Sequence, residues 1–114
     1  MATPEGKVKQ FVNDFMRKYF PNAEKYSPPG MGRFGKNGMP DKLWWIRATD
    51  DICISVAIET KAPGKKATPL QISRLKSLRA NGVICAVVIG KDKDKMERIK
   101  DEILRRIQLA NQES

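Results

Sequence analysis

Apolar residues recur at the spacing of one helix face in three segments of the chain. The first two segments open on Thr3-Pro4 and Thr68-Pro69, each a hydroxyl N-cap followed by proline, and the third opens on Asp92. The apolar stripes are Val8, Phe11, Val12, Phe15, Met16 and Tyr19; Ile72, Leu75 and Leu78; and Met96, Ile99, Ile103 and Ile107. The pattern predicts three helices, the first ending before Pro21 and the second at Asn81-Gly82.

Three further apolar runs predict strands. Leu43–Ala48 and Ile52–Lys61 flank the polar turn Thr49-Asp50-Asp51 and predict a hairpin. Val83–Ile89 has no strongly polar residue, so we expect it to be buried on both faces. Residues 21–40 hold four of the seven prolines and four of the eight glycines, which predicts a loop. The order helix, strand, strand, helix, strand, helix predicts an α/β fold, a small mixed sheet flanked by helices.

The second strand of the predicted hairpin has two different faces. Its even-numbered positions are bulky, namely Ile52, Ile54, Val56 and Ile58. Its odd-numbered positions are small and then charged, namely Cys53, Ser55, Ala57, Glu59 and Lys61. Because side chains alternate between the two faces of a strand, the even face predicts a packed core. The odd face ends in charged groups that such packing does not need.

The charge of the chain limits its partners. There are 22 lysines and arginines against 13 aspartates and glutamates, which gives a net charge of +9. No acidic residue lies between Thr60 and Lys91, a stretch rich in lysine and arginine. Such a balance favours a polyanionic partner, most often nucleic acid. A small basic protein with an ordinary solvated surface is the alternative.

Length and rare residue types exclude several classes of function. A chain of 114 residues predicts a single domain, residues 1–114. No apolar run is long enough to span a membrane, and no secretory signal is visible, so we expect no membrane partner. Cys53 and Cys85, each inside an apolar run, predict reduced core thiols in a cytosolic protein. Without histidine, zinc chemistry and histidine-based triads are not expected, which leaves carboxylates, lysines and an oxygen-binding metal.

The hairpin brings two carboxylates together if its turn is centred on Asp50. Residues whose numbers add up to 100 then lie opposite each other, so Asp41 faces Glu59. Cross-strand neighbours have Cβ atoms about 4.5–5.5 Å apart, and two carboxylates at that distance repel unless a cation lies between them. Mg²⁺ binds one or two carboxylate oxygens and keeps water in its other positions. This register predicts a magnesium site beside Lys61, with Mn²⁺ as an alternative ion.

These three side chains suit the hydrolysis of a phosphodiester. A metal held by Asp41 and Glu59 can polarise a phosphate oxygen and acidify a bound water. Lys61 can steady the attacking water, accept its proton or offset charge in the transition state. The alternative is a surface salt bridge at a strand end, without catalysis.

Residues 30–41, with the sequence GMGRFGKNGMPD, contain a string that matches a dinucleotide-binding fingerprint. That fingerprint follows a strand and opens a helix, and neither is predicted here, so no nucleotide cofactor is expected. The glycines instead let backbone amides, Arg33 and Lys36 come close to a phosphodiester backbone. The remaining candidate DNA contacts, in the acid-free basic stretch, are Lys65, Lys66 and Arg74.

Several motifs occur in the order found in one nuclease superfamily. Pro40-Asp41 followed by Glu59-Thr60-Lys61 has the form PD-(D/E)xK. The surrounding motifs are Gly38-Met39, Pro63-Gly64, Thr68-Pro69-Leu70-Gln71, and Asn81-Gly82 before an apolar strand. With these motifs the chain resembles the virus-type replication-repair nuclease domain of the PD-(D/E)xK superfamily, from about Thr3 to Ile89. The resemblance is to its minimal, stand-alone, phage-like form.

The resemblance implies a restriction-endonuclease-like core and a divalent-metal active site. It implies catalytic roles for Asp41, Glu59, Lys61 and Gln71, and metal ligation by Glu5, Asp41, Glu59 and the carbonyl of Thr60. An acid such as Glu5 in the first turn of a helix is also a favourable dipole partner, and Gln71 also suits a solvated helix position. Many relatives carry an aliphatic residue where Thr60 stands, which we expect to affect strand packing rather than site chemistry.

The resemblance also implies a substrate. Minimal members of the family resemble homodimeric resolvases of four-way DNA junctions, whereas versions embedded in larger repair enzymes act on flaps. We therefore expect a Mg²⁺-dependent DNA endonuclease that cuts branched DNA as a homodimer. We expect it in the cytoplasm, that of the host cell if a phage encodes it. The alternatives are a flap nuclease and a basic nucleic-acid-binding module that does not cut.

Overall fold

Hydroxyl N-caps start two helices at the positions that the sequence predicts. In the computed structural model, which describes residues 3–28 and 38–112, Thr3 Oγ1 accepts a hydrogen bond from the Gly6 N–H at 3.0 Å. Thr68 Oγ1 accepts one from the Gln71 N–H at 3.1 Å. In chain order the elements are α1 (Pro4–Tyr19), β1 (Glu24–Tyr26), β2 (Lys42–Arg47), β3 (Cys53–Lys61), α2 (Pro69–Ala80), β4 (Ile84–Ile89) and α3 (Lys93–Gln112).

Within residues 3–28 and 38–112, four strands form one mixed sheet in the order β1-β2-β3-β4. Strand β2 is antiparallel to both β1 and β3, and β4 is parallel to β3. The parallel pair is joined by the crossover helix α2, as a parallel connection requires. The predicted fold class, an α/β fold with a small mixed sheet flanked by helices, is confirmed.

Strand β1 corrects the loop predicted for residues 21–40. Glu24–Tyr26 pairs with residues 43–45 of β2, and all three of its residues are exposed. A strand of three exposed residues has no buried face, so it leaves no alternation of apolar and polar positions to detect. Backbone pairing to the edge of β2 forms it instead. The observed order is therefore helix, three strands, helix, strand, helix.

The register of the hairpin agrees with a turn centred on Asp50. Lys42 lies opposite Ile58 and Arg47 lies opposite Cys53, pairs whose residue numbers both add up to 100. The turn is closed by hydrogen bonds from the backbone N–H groups of residues 48 and 49 to the carbonyl of Ile52. Asp41, the residue before β2, is thereby placed at the same end of the hairpin as Glu59.

The main core lies between one face of the sheet and the helices α1 and α3. Its members are Val8, Val12, Phe15, Met16, Phe20, Trp44, Ile46, Ile54, Val56, Ile58, Ile84, Ala86, Val88, Met96, Ile99 and Ile103. The packed even-numbered face of the second hairpin strand is confirmed from Ile54 onwards, whereas Ile52 is exposed. Helix α2 lies outside this core and packs mainly against β4, with Leu75 as its buried residue.

Two expectations of burial are wrong. Strand β4 buries Ile84, Ala86 and Val88 towards the main core, but Ile89 on its other face is 43% exposed. The reason is that α2, with 12 residues, covers only part of that face. Cys53 is exposed beside the hairpin turn and Cys85 is half-buried, so the two cysteines are not both core thiols.

Helix α3 is the longest element, with 20 residues. It buries Met96, Ile99 and Ile103 and partly buries Ile107, which confirms the predicted inward stripe. Its other faces carry charged residues together with the exposed Leu104 and Leu109. Neither α3 nor any other helix within residues 3–28 and 38–112 combines the length and apolarity that a membrane span needs.

Candidate functional site

The end of strand β3 holds a carboxylate inside the protein. Glu59 is only 2% exposed, although glutamate is almost never fully buried unless it is paired. Glu59 Oε2 accepts a hydrogen bond from Gln71 Nε2 at 3.2 Å and lies 3.4 Å from Lys61 Nζ. Glu59 Oε1 is buried and has no hydrogen-bond partner in the part of the chain that the structure describes. Such an oxygen carries a desolvation cost that a bound cation would offset.

Gln71 is held at both atoms of its side-chain amide. Its Oε1 accepts a hydrogen bond from the Thr68 N–H at 2.9 Å, which completes a capping box at the start of α2. Because the oxygen is committed to the helix cap, the amide nitrogen is the atom that faces Glu59. The start of α2 therefore fixes the donor that contacts the buried carboxylate.

Asp41 is held by the residue that follows Glu59. Asp41 Oδ2 accepts one hydrogen bond from the backbone N–H of Thr60 at 2.8 Å and another from Thr60 Oγ1 at 2.7 Å. Asp41 Oδ1 lies 4.0 Å from Lys9 Nζ, and the same ammonium group lies 3.7 Å from Glu5 Oε2. The first turns of α1 thus face Asp41, with Lys9 between two carboxylates.

The carboxyl groups of Asp41 and Glu59 influence each other. The pKa of Glu59 is raised from 4.5 to about 7, first by burial and then by the charge of Asp41. The charge of Lys61 opposes the rise. The fold therefore creates the carboxylate repulsion that the hairpin register predicts.

The oxygen atoms around this pair fit a divalent cation. Glu59 Oε1 has no partner among the described residues, and the charge of Asp41 acts on the same carboxyl group. Carboxylate oxygens are hard ligands of the kind that Mg²⁺ and Mn²⁺ bind. Within residues 3–28 and 38–112, no three acidic, cysteine or histidine side chains are close enough to hold an ion by themselves. Water and backbone carbonyls, such as that of Thr60, would supply the remaining ligands.

A cleft of about 450 Å³ adjoins the site. Glu5 in the first turn of α1, Lys61 at the end of β3, and the turn residues Lys65 and Lys66 all line it. The structure thus brings Glu5 and Lys61 to one opening, although Glu5 does not complete a three-acid cluster in the described part of the chain. Lys65 and Lys66 are exposed and make the rim of the cleft positive.

Gly38 allows the segment before Asp41 to lie against α2. Its φ of +79° falls in the region that favours glycine. A Cβ atom at this position would lie 2.6 Å from Leu70 Cγ and 3.1 Å from Arg74 Cγ. Pro40 is buried just before Asp41. This close approach delivers Asp41 to the end of β3.

The arrangement of elements is also that of a known structure. A solved structure described as a VRR_NUC domain matches this chain with a TM-score of 0.61. The match covers 91% of this chain and 97% of that domain, at 19% sequence identity. The chain has the VRR_NUC fold. No protein-family model and no curated protein matches the sequence.

The VRR_NUC match confirms the fold that the resemblance to the virus-type replication-repair nuclease domain predicts. It extends beyond the Thr3 to Ile89 span, since it covers 91% of the chain. At 19% identity the likeness establishes the fold, and the function has to be inferred from the side chains of the site.

The predicted DNA contacts lie in different surroundings. Lys65 and Lys66 are exposed at the cleft, and Arg74 is half-buried on α2 beside Gly38. Arg33 and Lys36 lie outside the described residues. The structure therefore places part of the predicted basic surface next to Glu59 and Lys61.

Two contacts of the site were not predicted from the sequence. Thr60 was expected to act through its carbonyl, yet its hydroxyl binds Asp41. Lys9 was not expected to face Asp41. The spacing of Glu5 and Lys9, one helical turn apart, is a detectable signal for the second contact. For the first contact, the sequence signal is a hydroxyl residue, Thr60, between the acid and the lysine of the Glu59-Thr60-Lys61 motif.

Proposed function

We propose that this protein is a divalent-metal-dependent nuclease that hydrolyses phosphodiester bonds in DNA. The observation that carries the proposal is the buried Glu59, whose Oε1 has no partner among the described residues and whose neighbour is Asp41. A protein that only bound nucleic acid would gain nothing from a buried acid beside a second one next to a basic surface. The VRR_NUC fold and the net charge of +9 support the same function.

Asp41 and Glu59 are the residues that would hold the metal, with the Thr60 carbonyl and Glu5 as further candidates. The bound ion would supply Lewis-acid activation of the scissile phosphate and of a water. Mg²⁺ is the ion we propose, with Mn²⁺ as a substitute, because both accept oxygen ligands. Glu59 binds an ion as its carboxylate, so ionisation of this buried group is part of the active state.

Lys61 and Gln71 would act on the reactants and on Glu59, respectively. Lys61 Nζ lies 3.4 Å from Glu59 Oε2, and the Lys61 side chain lines the cleft. From there its ammonium group can orient the attacking water or offset the charge that develops on the phosphate. Gln71 donates to Glu59 Oε2 and thereby orients the carboxylate, with Oε1 left available.

The basic residues near the site would bind the DNA backbone. Lys65 and Lys66 line the cleft, and phosphate contacts of this kind position DNA without reading its sequence. Arg33, Lys36 and Arg74 are further proposed contacts. We propose branched DNA as the substrate, four-way junctions in particular, cut by a homodimer in the cytoplasm. This finer assignment rests on the family resemblance.

Cleavage of a labelled synthetic four-way junction tests the proposal. We expect nicks with Mg²⁺ or Mn²⁺, none with chelator, and loss of cleavage in Lys61→Ala while gel-shift binding persists. Cleavage rates on flapped and linear duplexes of the same sequence show which substrate is preferred. Light scattering of the purified protein measures the mass of the assembly. Binding without cleavage under every divalent ion would identify a non-catalytic nucleic-acid-binding module instead.

A further inference from the structure

We infer that the Thr60 hydroxyl is a positioning group for the metal site, which anchors one oxygen of Asp41 and leaves the other facing Lys9. The role of this hydroxyl in metal binding rests on the proposed function. Its geometry rests on the contact between Asp41 and Thr60. The inference assigns a role to the side chain of Thr60, which the family resemblance leaves with a backbone role only.

The hydroxyl of Thr60 is fully enclosed. Thr60 is 0% exposed, and its Oγ1 donates to Asp41 Oδ2 at 2.7 Å. The neighbouring even-numbered position of β3, Ile58, is aliphatic and buried in the main core. Valine would fill nearly the same volume at position 60 without a polar atom to satisfy. Packing alone therefore does not explain a hydroxyl here, whereas a bond to Asp41 does.

Asp41 needs such an anchor because of where it lies in the chain. It precedes Lys42, the first residue of β2, and so stands just outside the paired part of the strand. The backbone N–H and the hydroxyl of Thr60 both donate to Oδ2 of Asp41. Two donors on one oxygen fix the rotation of the carboxylate, and Oδ1 is the oxygen that faces Lys9.

An anchored carboxylate is a better ligand than a free one. Groups that hydrogen-bond to metal ligands orient them, and their removal typically costs about 10- to 100-fold in metal affinity or activity. The Thr60 side chain would make this contribution to the Asp41 ligand. In Thr60→Val the backbone N–H remains, so one of the two anchors is lost rather than both.

Metal binding to the full-length chain in the absence of DNA tests the role. Isothermal titration with Mn²⁺ compares wild type, Thr60→Val, Thr60→Ser and the control Thr49→Val. Thr49 undergoes the same chemical change in the hairpin turn, where its hydroxyl accepts a hydrogen bond from the backbone N–H of Asp51. We expect Thr60→Val to bind Mn²⁺ about tenfold more weakly, Thr60→Ser to recover most of that loss, and Thr49→Val to match wild type.

A second measurement detects the bond without metal or catalysis. Thermal melts in chelator are compared for Thr60→Val, Asp41→Ala and the double variant. We expect Thr60→Val to lower the Tm by roughly 5 °C when Asp41 is present and by much less in the D41A background, because the acceptor is then already gone. Equal losses in both backgrounds would mean that the hydroxyl and Asp41 are not coupled, and would overturn the inference.

The two measurements separate failure of the inference from failure of the proposed function. Unchanged Mn²⁺ affinity in Thr60→Val, with a wild type that binds Mn²⁺ and cuts DNA, would overturn the inference alone. A loss in Thr60→Ser as large as that in Thr60→Val would also overturn it, since packing rather than the hydroxyl would then matter. A wild type that binds no divalent ion would overturn the proposed function, and with it the role of the Thr60 hydroxyl in metal binding. This holds even if the melts show that Thr60 and Asp41 are coupled.

Discussion

Glu59 is a carboxylic acid at a place where the fold disfavours its charge. Burial and the neighbouring Asp41 raise its pKa from 4.5 to about 7. The folded protein therefore binds this proton more tightly than the unfolded chain does, and protonation of Glu59 stabilises the fold. This contribution is fully present below pH 4.5 and is lost as the pH rises through about 7.

The metal-free protein should accordingly become less stable between pH 4.5 and about pH 7, by up to about 1.4 kcal/mol per pH unit from this group. Urea denaturation in chelator across that range measures the slope, and Glu59→Gln should remove it. Glu102 is an internal reference, because hydrogen bonds from Arg105 and Arg106 lower its pKa to about 2. Its contribution to stability therefore changes only at a more acidic pH. Identical profiles for wild type and Glu59→Gln would contradict the assignment.

Gln71 combines a helix cap with a contact to Glu59, and two substitutions separate these tasks. Gln71→Glu keeps an oxygen for the Thr68 N–H but places a second carboxylate against Glu59. We expect it to retain the helix and to lose cleavage by about tenfold or more. Gln71→Ala loses both contacts and about 1 kcal/mol of stability as well. Melts and cleavage rates measured on both variants check this, and full activity in Gln71→Glu would argue against an orienting role.

At the scale of elements, the contact between the segment before β2 and helix α2 positions Asp41. Gly38 has a φ of +79°, and a Cβ there would lie 2.6 Å from Leu70 Cγ. Gly64 provides a matched control, since its φ is +83° but no atom of the described residues lies within 4 Å of its Cβ position. The two glycines thus share the backbone conformation and differ in the close approach.

Gly64→Ala should cost about 1–2 kcal/mol for the left-handed conformation alone. Gly38→Ala should cost more than this, because Leu70 must also move, and it should reduce metal affinity through displacement of Asp41. Urea denaturation and Mn²⁺ titration of both variants measure the two effects. Equal costs in both assays would show that the contact with α2 is not needed to place Asp41.

The elements themselves were largely predictable, because their signals are local. Thr3-Pro4 and Thr68-Pro69 start helices in the structure as they do in the sequence pattern. The hairpin register followed from the position of its turn, since a shift of one residue would turn the apolar face of β3 away from the core. Strand β1 escaped prediction because three exposed residues pair only through their backbone.

At the scale of the whole molecule, the cleft should bind DNA through its basic rim. Lys65 and Lys66 line it, so the double variant Lys65→Gln/Lys66→Gln removes two proposed phosphate contacts. We expect the slope of log K against log salt concentration to fall by about two in magnitude, since each phosphate contact contributes roughly one. Fluorescence anisotropy with a labelled junction at several salt concentrations measures the slope.

A control with the same loss of charge lies away from the cleft. Arg17 is near the end of α1 and Arg47 is at the hairpin turn, and both side chains are well exposed. The double variant Arg17→Gln/Arg47→Gln should leave the slope close to that of wild type. Equal changes in the two double variants would indicate binding through overall charge rather than through the cleft.

The sequence by itself determined the helices, the hairpin and its register, and the end of the sheet at which Asp41, Glu59 and Lys61 meet. These features depend on periodicity, capping and turn position, which act between residues close together in the chain. The tertiary structure alone decided that Glu59 is buried with one oxygen unpartnered among the described residues, that Gln71 holds the other, and that Thr60 anchors Asp41. Hydrogen bonds and desolvation depend on segments that are far apart in the chain but pack within a few ångströms of each other. No local sequence pattern encodes those distances.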